Sequence, residues 1–232
     1  MGAHRGGQYT GGVLAPAPFL FDLDGTLADT LPDIAASCNH VRARFGLPPC
    51  LTATVRGFVG DGARTLLARA LHGALPTDAD AAARALDDAF AGYVAHHATQ
   101  CTVHARLYPG ALRALQALHE GGHPLAVVTN KPTRFTAPIL RALGLERLLP
   151  VVVGGDTLPQ RKPDAAPIRH ALAQLGAGPR GATMVGDGVQ DVRAGKAAGV
   201  RTIACLYGYG DPAALRAEGA DGYWSAFGAL VD

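Results

Sequence analysis

The feature that most constrains this chain is a set of short apolar runs with unequal spacing between them. Five runs read as buried strands: Phe19–Leu23, Leu125–Thr129, Val151–Val153, Thr183–Val185 and Thr202–Cys205. Between the later runs lie helix-length faces, with Leu112, Leu115 and Leu118 on one, Phe135, Ile139, Leu140 and Leu143 on the next, and Ile168, Leu172 and Leu175 on a third. Strands alternating with helices predict βαβ units and an α/β fold with a doubly wound, mostly parallel sheet. The first interval is different. About 100 residues separate the first strand from the second, several times what one crossover helix needs.

That interval has no strong strand signal, but it has helical stretches over Pro32–Phe45, Gly62–Leu71 and Asp78–His96. The reading is a small α-helical cap inserted after the first strand. Ligands of open α/β sheets bind beyond the carboxyl ends of the strands, where such a cap would sit. The expected division is a flexible tail over 1–18, a core over 19–28 and 105–232, and a helical cap over 29–104. The C-terminal aromatics Tyr223, Trp224 and Phe227 are expected to pack a final helix.

Composition enters as a check on whether such a core can be filled. Leu, Val, Phe and Ile make 55 of 232 residues, above the level at which disorder is the default. A net charge of +2 with 17% charged residues gives no reason to expect nucleic acid or an anionic membrane as partner. No run reaches the length of a membrane span, and the Gly- and Pro-rich start lacks the apolar segment of a signal peptide. Cys38, Cys50, Cys101 and Cys205 are too scattered for a zinc site and read as reduced thiols of a cytoplasmic protein. His96 and His97 read as a solvated helix end.

The densest chemical signal is Phe21-Asp22-Leu23-Asp24-Gly25-Thr26-Leu27. Side chains two apart on a strand share a face, so Asp22 and Asp24 are expected side by side at the end of the first strand. Two carboxylates there need a cation or a shared proton to relieve their repulsion. Each later strand end adds polar groups: Thr129 and Asn130, then Lys162, then Asp187 with Asp191 four residues on. Together they place carboxylates, a cation and neutral donors on one sheet edge. That set suits Mg²⁺, which takes a few carboxylates with phosphate and water oxygens, and a lysine for phosphate charge.

Four motifs in order, Asp22-Leu23-Asp24-Gly25-Thr26, Thr129-Asn130, Lys162-Pro163 and Gly186-Asp187 with Asp191, make the chain resemble the haloacid dehalogenase superfamily. The resemblance runs from about Phe19 to the C-terminus and implies a Rossmann-like core with the inserted cap. Phe58–Ala63, Val153–Thr157 and Tyr207–Gly210 further resemble phosphoglycolate phosphatases.

The resemblance implies that Asp22 attacks phosphorus to form an aspartyl-phosphate while Asp24 protonates the leaving alkoxide and then activates water. It implies Mg²⁺ on the carboxylates of Asp22 and Asp187 and the backbone carbonyl of Asp24, with Asp191 behind. Thr129, Asn130 and Lys162 would clamp the phosphoryl group. Arg56 and Arg64 of the cap are candidates for a substrate carboxylate. Gly188 stands where the family usually has Ser, and Ala165 where it usually has Pro.

The expected reaction is therefore Mg²⁺-dependent hydrolysis of a small phosphate monoester, 2-phosphoglycolate first. Amino-sugar, sugar and nucleotide phosphates are the competing substrates, and hexose-phosphate mutase is the competing activity. Asp24 disfavours dehalogenase and phosphonatase chemistry, and the chain is too long for a phosphoacceptor receiver domain. The expected partner is a small phosphorylated metabolite, and the expected state is monomer or homodimer. Lysine is rare: only Lys131, Lys162 and Lys196 stand among 18 arginines. Lys162 has a reason to be Lys; the sequence assigns none to Lys131.

Overall fold

The structure is a computed structural model that describes residues 16–231; most of the tail expected over 1–18 lies outside the described residues. The chain order is β1 (Phe19–Phe21), β2 (Ala28–Asp29), α1 (Leu31–Arg44), α2 (Thr52–Arg56), α3 (Ala63–Ala70), α4 (Ala79–Gln100) and β3 (Arg106–Leu107). It continues with α5 (Ala111–Glu120), β4 (Leu125–Val128), α6 (Thr133–Ala142), β5 (Val151–Val153), α7 (Ala166–Gln174) and β6 (Thr183–Gly186). α8 (Val189–Ala198), β7 (Arg201–Cys205), α9 (Pro212–Ala217), β8 (Gly222–Ala226) and β9 (Ala229–Val231) complete it.

The main sheet has the order β5-β4-β1-β6-β7-β8-β9, parallel throughout except for β9 against β8. β1 lies between β4 and β6, so the chain builds outward from it in two directions. That reversal of winding opens a crevice at the carboxyl ends of these three strands. Strand alternation sorts the core into two layers. Phe21, Val127, Val185 and Ile203 face one apolar cluster, which runs on into the helical insertion. Leu20, Ala126, Val128 and Met184 face the other, under α7 and α8.

The expected strand over Phe19–Leu23 is shorter in the structure, ending at Phe21, so Asp22 and Asp24 lie in the turn beyond it. They do not share a strand face. The expected final helix is also corrected. Tyr223 and Trp224 lie on β8, which hydrogen-bonds the open edge of β7, and Phe227 follows in the turn to β9. An exposed β7 edge would leave a row of unpaired backbone groups, and an aromatic segment flanked by Gly222 and Gly228 suits a covering strand. Trp224 packs on Phe227 with ring centroids 5.2 Å apart.

The long first interval holds α1 to α4, with α1 packed on α4 and α2. Its two ends are pinned together by β2 and β3, paired antiparallel as Ala28 with Leu107 and Asp29 with Arg106. Two-residue strands carry too little periodicity to be read from sequence. Buried Asp33 reinforces the closure, accepting from the backbone N–H groups of His104 at 3.0 Å and Ala105 at 3.0 Å. His97 is not a solvated helix end. It is fully buried, packed on Tyr93 and Phe135, with Nδ1 2.9 Å from Ser37 Oγ. The 22-residue α4 lies across α6, and that packing takes its last turn out of water.

Candidate active site

Asp22, Thr129 and Asp187 follow β1, β4 and β6 directly, and the parallel ladder carries on just far enough to seat the first two. Asp22 N–H donates to Val185 O at 2.9 Å, and Thr129 N–H donates to Val153 O at 2.9 Å. Lys162 enters from the loop after β5. Its buried ammonium donates to Asp22 Oδ1 at 2.9 Å, Asp191 Oδ1 at 2.6 Å and Val128 O at 2.6 Å. All three of its protons are thereby directed. Asp191 lies in the first turn of α8, where its other oxygen accepts from Gly188 N–H at 2.9 Å. That bond caps the helix and holds the carboxylate toward Lys162.

Asp187 is oriented by two donors, Thr26 Oγ1 at 2.8 Å and Tyr209 N–H at 2.7 Å. Gly25 makes the approach possible. It turns with φ of +83°, and a Cβ there would collide with the Asp187 carboxylate.

Oxygens of Asp22, Asp187 and Asp191 lie within 4.8 Å of one another. Burial raises Asp22 to about 6, against the lowering effect of Lys162 and with the repulsion of Asp191 and Asp24 adding to the rise. Burial, then Asp22 and Asp191, raise Asp187 to about 8. Burial works against the charge of Lys162, but Asp191 and Asp22 outweigh it and its pKa is raised. Three buried carboxylates around one ammonium leave excess negative charge, and the donor set is oxygen only. A hard divalent cation fits that deficit.

Asp24 is held apart from this group. Its carboxylate accepts from Thr30 Oγ1 at 2.5 Å and from Lys131 Nζ at 3.1 Å to each oxygen. Lys131, unassigned from its sequence context, is thus a buried cation of the site, with its side chain 5% exposed. Its position beside Thr129-Asn130 and the rarity of lysine were the only signals available. Thr129 Oγ1 accepts from Lys131 N–H at 3.2 Å, which leaves the hydroxyl proton to donate elsewhere.

Asn130 is placed at the site, but its side chain is already engaged. Nδ2 donates to Lys162 O at 2.9 Å and Gly60 O at 3.0 Å, while Oδ1 accepts from Lys162 N–H at 3.0 Å. The amide therefore ties together the turn after β4, the Lys162 loop and the α2–α3 loop of the insertion.

The cap arginines part company. Arg56 lines the cavity, but its guanidinium donates to Tyr209 O at 3.1 Å and to Gly208 O. Arg64 pairs with Asp87, lies 5.4 Å over the Phe90 ring and is absent from the cavity wall. Tyr209 is an organiser that no spacing in the sequence reveals. Its hydroxyl accepts from Thr30 N–H at 2.8 Å and Leu31 N–H at 2.9 Å, and donates to Asp29 Oδ1 at 2.8 Å. One residue thus satisfies donors at the start of α1 and, through its own N–H, positions Asp187. Between cap and core lies a cavity of about 750 Å³, walled by Asp22, Asp24, Lys131, Asp187 and Tyr93 among others.

Known proteins match along most of this length. A Pseudomonas aeruginosa protein named phosphoglycolate phosphatase 1 is 42% identical over 197 residues, 84% of this chain and 71% of its own. A Haemophilus influenzae phosphoglycolate phosphatase is 38% identical over 217 residues, 91% of this chain and 95% of its own. Among solved structures, a predicted phosphoglycolate phosphatase from Haemophilus somnus superposes with a TM-score of 0.81 at 32% identity, covering 93% of this chain and 96% of that one. The model of the haloacid dehalogenase-like hydrolases matches residues 19–205, the span that carries all four motifs and most of the wall of the cavity between sheet and cap. The chain belongs to that family.

Proposed function

We propose that the chain is a phosphatase for 2-phosphoglycolate, working through an aspartyl-phosphate, with residues 29–104 as the cap over its site. The observation that carries this reading is the pairing of Asp22, fixed by Lys162, with a separately held Asp24 in one cavity. The relatives at 38–42% identity named phosphoglycolate phosphatases support the substrate.

An Asp22 oxygen attacks phosphorus, and the bond from phosphorus to the ester oxygen breaks as the new one forms. Asp24 delivers its proton to the departing alkoxide, so glycolate leaves neutral at that oxygen. In the second half Asp24 takes a proton from water as the water oxygen attacks the same phosphorus. Inorganic phosphate leaves and the Asp22 carboxylate is restored. The Lys162 ammonium, fixed against Asp22, lends its charge as the phosphoryl charge shifts, and the Thr129 hydroxyl donates to the phosphoryl oxygens, with Asn130 holding the Lys162 loop in place. Mg²⁺, held by the carboxylates of Asp22 and Asp187 and the carbonyl of Asp24, would neutralise the buried anions and the phosphoryl charge. Asp191 acts from behind, through Lys162.

Every residue in this scheme comes from one chain, so a monomer or a homodimer serves equally, and the cytoplasm is the expected compartment. No helix among the described residues is long and apolar enough to cross a membrane. A panel of phosphate esters, assayed with Mg²⁺ and with chelator, tests the reading. Metal-dependent turnover with the highest kcat/KM on 2-phosphoglycolate is expected, and Asp22→Asn should abolish it. A sugar, amino-sugar or nucleotide phosphate winning the panel would overturn the substrate, and transfer to a second hydroxyl of a hexose phosphate would make the chain a mutase.

A further inference from the structure

We infer that Lys131 reads the substrate, selecting esters whose carboxylate sits on the carbon that carries the phosphate. The inference rests on the phosphatase reading above and specifies how that site recognises its leaving group.

A carboxylate drawn into a buried cavity needs a cation with a donor to spare. The cations on the cavity wall are Arg56, Arg69 and Lys131. Arg56 is engaged by the Gly208 and Tyr209 carbonyls. Arg69 donates to Phe58 O at 3.1 Å and pairs with Asp61 at 2.5 Å. Both guanidiniums keep further N–H groups, so position decides: of the three, Lys131 is the cation bonded to Asp24. Two of its ammonium protons are accounted for by the two Asp24 oxygens, and no other acceptor meets Nζ among the described residues.

Its position is as specific as its charge. Asp24 must reach the ester oxygen to protonate it, and Lys131 Nζ lies 3.1 Å from both Asp24 oxygens. In a 2-phosphoryloxy carboxylate one carbon separates the ester oxygen from the carboxylate. By ordinary bond lengths the nearer carboxylate oxygen is roughly 3 Å from the ester oxygen. An ammonium bonded to Asp24 therefore stands beside the substrate carboxylate, within reach of both carboxyl groups. A carboxylate one methylene further out would lie about 1.5 Å beyond that reach. The same contact gives the only lysine next to the Thr129-Asn130 turn a reason to be lysine: a compact ammonium fits between two carboxylates, where a planar guanidinium demands a bidentate face.

The test compares 2-phosphoglycolate with 2-hydroxyethyl phosphate, which replaces the carboxylate with a neutral CH₂OH group, in wild type and in Lys131→Met. Loss of the Asp24 contact slows both esters, so the readout is the ratio of their kcat/KM values. That ratio is expected to fall at least ten-fold in Lys131→Met, and equally in Lys131→Gln, which keeps a donor on a chain one bond shorter but lacks the charge. An unchanged ratio with both rates reduced would make Lys131 a positioning residue for Asp24 only and overturn the inference. Wild type alone gives a second measure: 3-phosphonooxypropionate should be turned over at least ten-fold less efficiently than 2-phosphoglycolate, and equal efficiency overturns the claim. If wild type does not favour 2-phosphoglycolate over 2-hydroxyethyl phosphate at all, the substrate reading beneath the inference fails first.

Discussion

The side-chain amide of Asn130 donates to the backbone carbonyl of Gly60 at 3.0 Å, joining the turn after the second core strand to a loop of the cap. The same amide exchanges two hydrogen bonds with Lys162, at 2.9 and 3.0 Å. Cap position and the placement of the site lysine are therefore joined in one side chain. Asn130→Ala should cost about 2–4 kcal/mol, since it strands buried backbone groups of Lys162 as well as Gly60 O. Urea unfolding measures the loss, and faster proteolysis within the Gly60 loop would locate it. A variant as stable as wild type, with its loop equally protected, would refute this account.

Two glycines of the site should respond oppositely to a side chain. Gly25 has φ of +83°, and its Cβ would strike the Asp187 carboxylate. Gly25→Ala should reduce kcat/KM by more than about a hundred-fold, because the strain falls on a fixed acid. Gly188 has an ordinary φ of −108°, and the atoms a Cβ would meet are the far end of the Gln190 side chain. Gly188→Ser should keep stability within about 1 kcal/mol of wild type while displacing Gln190, which rests against Gly60. A change in KM with little change in Tm is the expected signature.

His97 should make the protein acid-sensitive. Burial, then Lys131, lower its pKa to about 2 from 6.5, and its Nε2 has no hydrogen-bond partner among the described residues. Below pH 6.5 the unfolded chain takes up a proton that the folded chain excludes, so stability falls as pH falls. The slope is up to about 1.4 kcal/mol per pH unit. Denaturant midpoints at pH 7.5, 6 and 5 should show His97→Gln losing less stability on acidification than wild type. Parallel profiles would dismiss the effect.

Asp187 has the opposite sign. Its raised pKa means that between about pH 4 and 8 the metal-free folded chain retains a proton the unfolded chain has released. Stability from this group therefore declines as pH rises through that window. Without metal, Asp187→Asn should be more stable than wild type at pH 8 by at least about 1 kcal/mol, with the difference shrinking toward pH 4. Adding Mg²⁺ should raise the Tm of wild type and leave that of Asp187→Asn unmoved. A variant that responds equally to Mg²⁺ would exclude Asp187 as a ligand.

Much of this was legible in the residues alone. Five apolar runs, the helical faces between them and the long first interval were enough for a parallel sheet with an inserted helical cap. The runs of Asp22, Thr129, Lys162 and Asp187 at strand ends were enough to put them on one edge, because parallel strands must all deliver their carboxyl ends to the same side. What escaped were elements with too little pattern. β2 and β3 have two residues each, and the five residues of β8, with two aromatics, fit a helical period as well as a strand's.

What only the tertiary structure decided is which groups are free to act. Sequence offers Asn130 for the phosphate and Arg56 for a substrate carboxylate, and sets Lys131 beside Asn130, each with donors that would serve a ligand. Three-dimensional packing occupies the Asn130 amide with Gly60 and Lys162, and the Arg56 guanidinium with Gly208 and Tyr209, partners 70, 32, 152 and 153 residues away. It leaves Lys131 against Asp24, 107 residues distant, with a proton to give. Local sequence determines what chemistry a side chain can offer. Whether the offer is already taken depends on groups that only folding brings within about 3 Å.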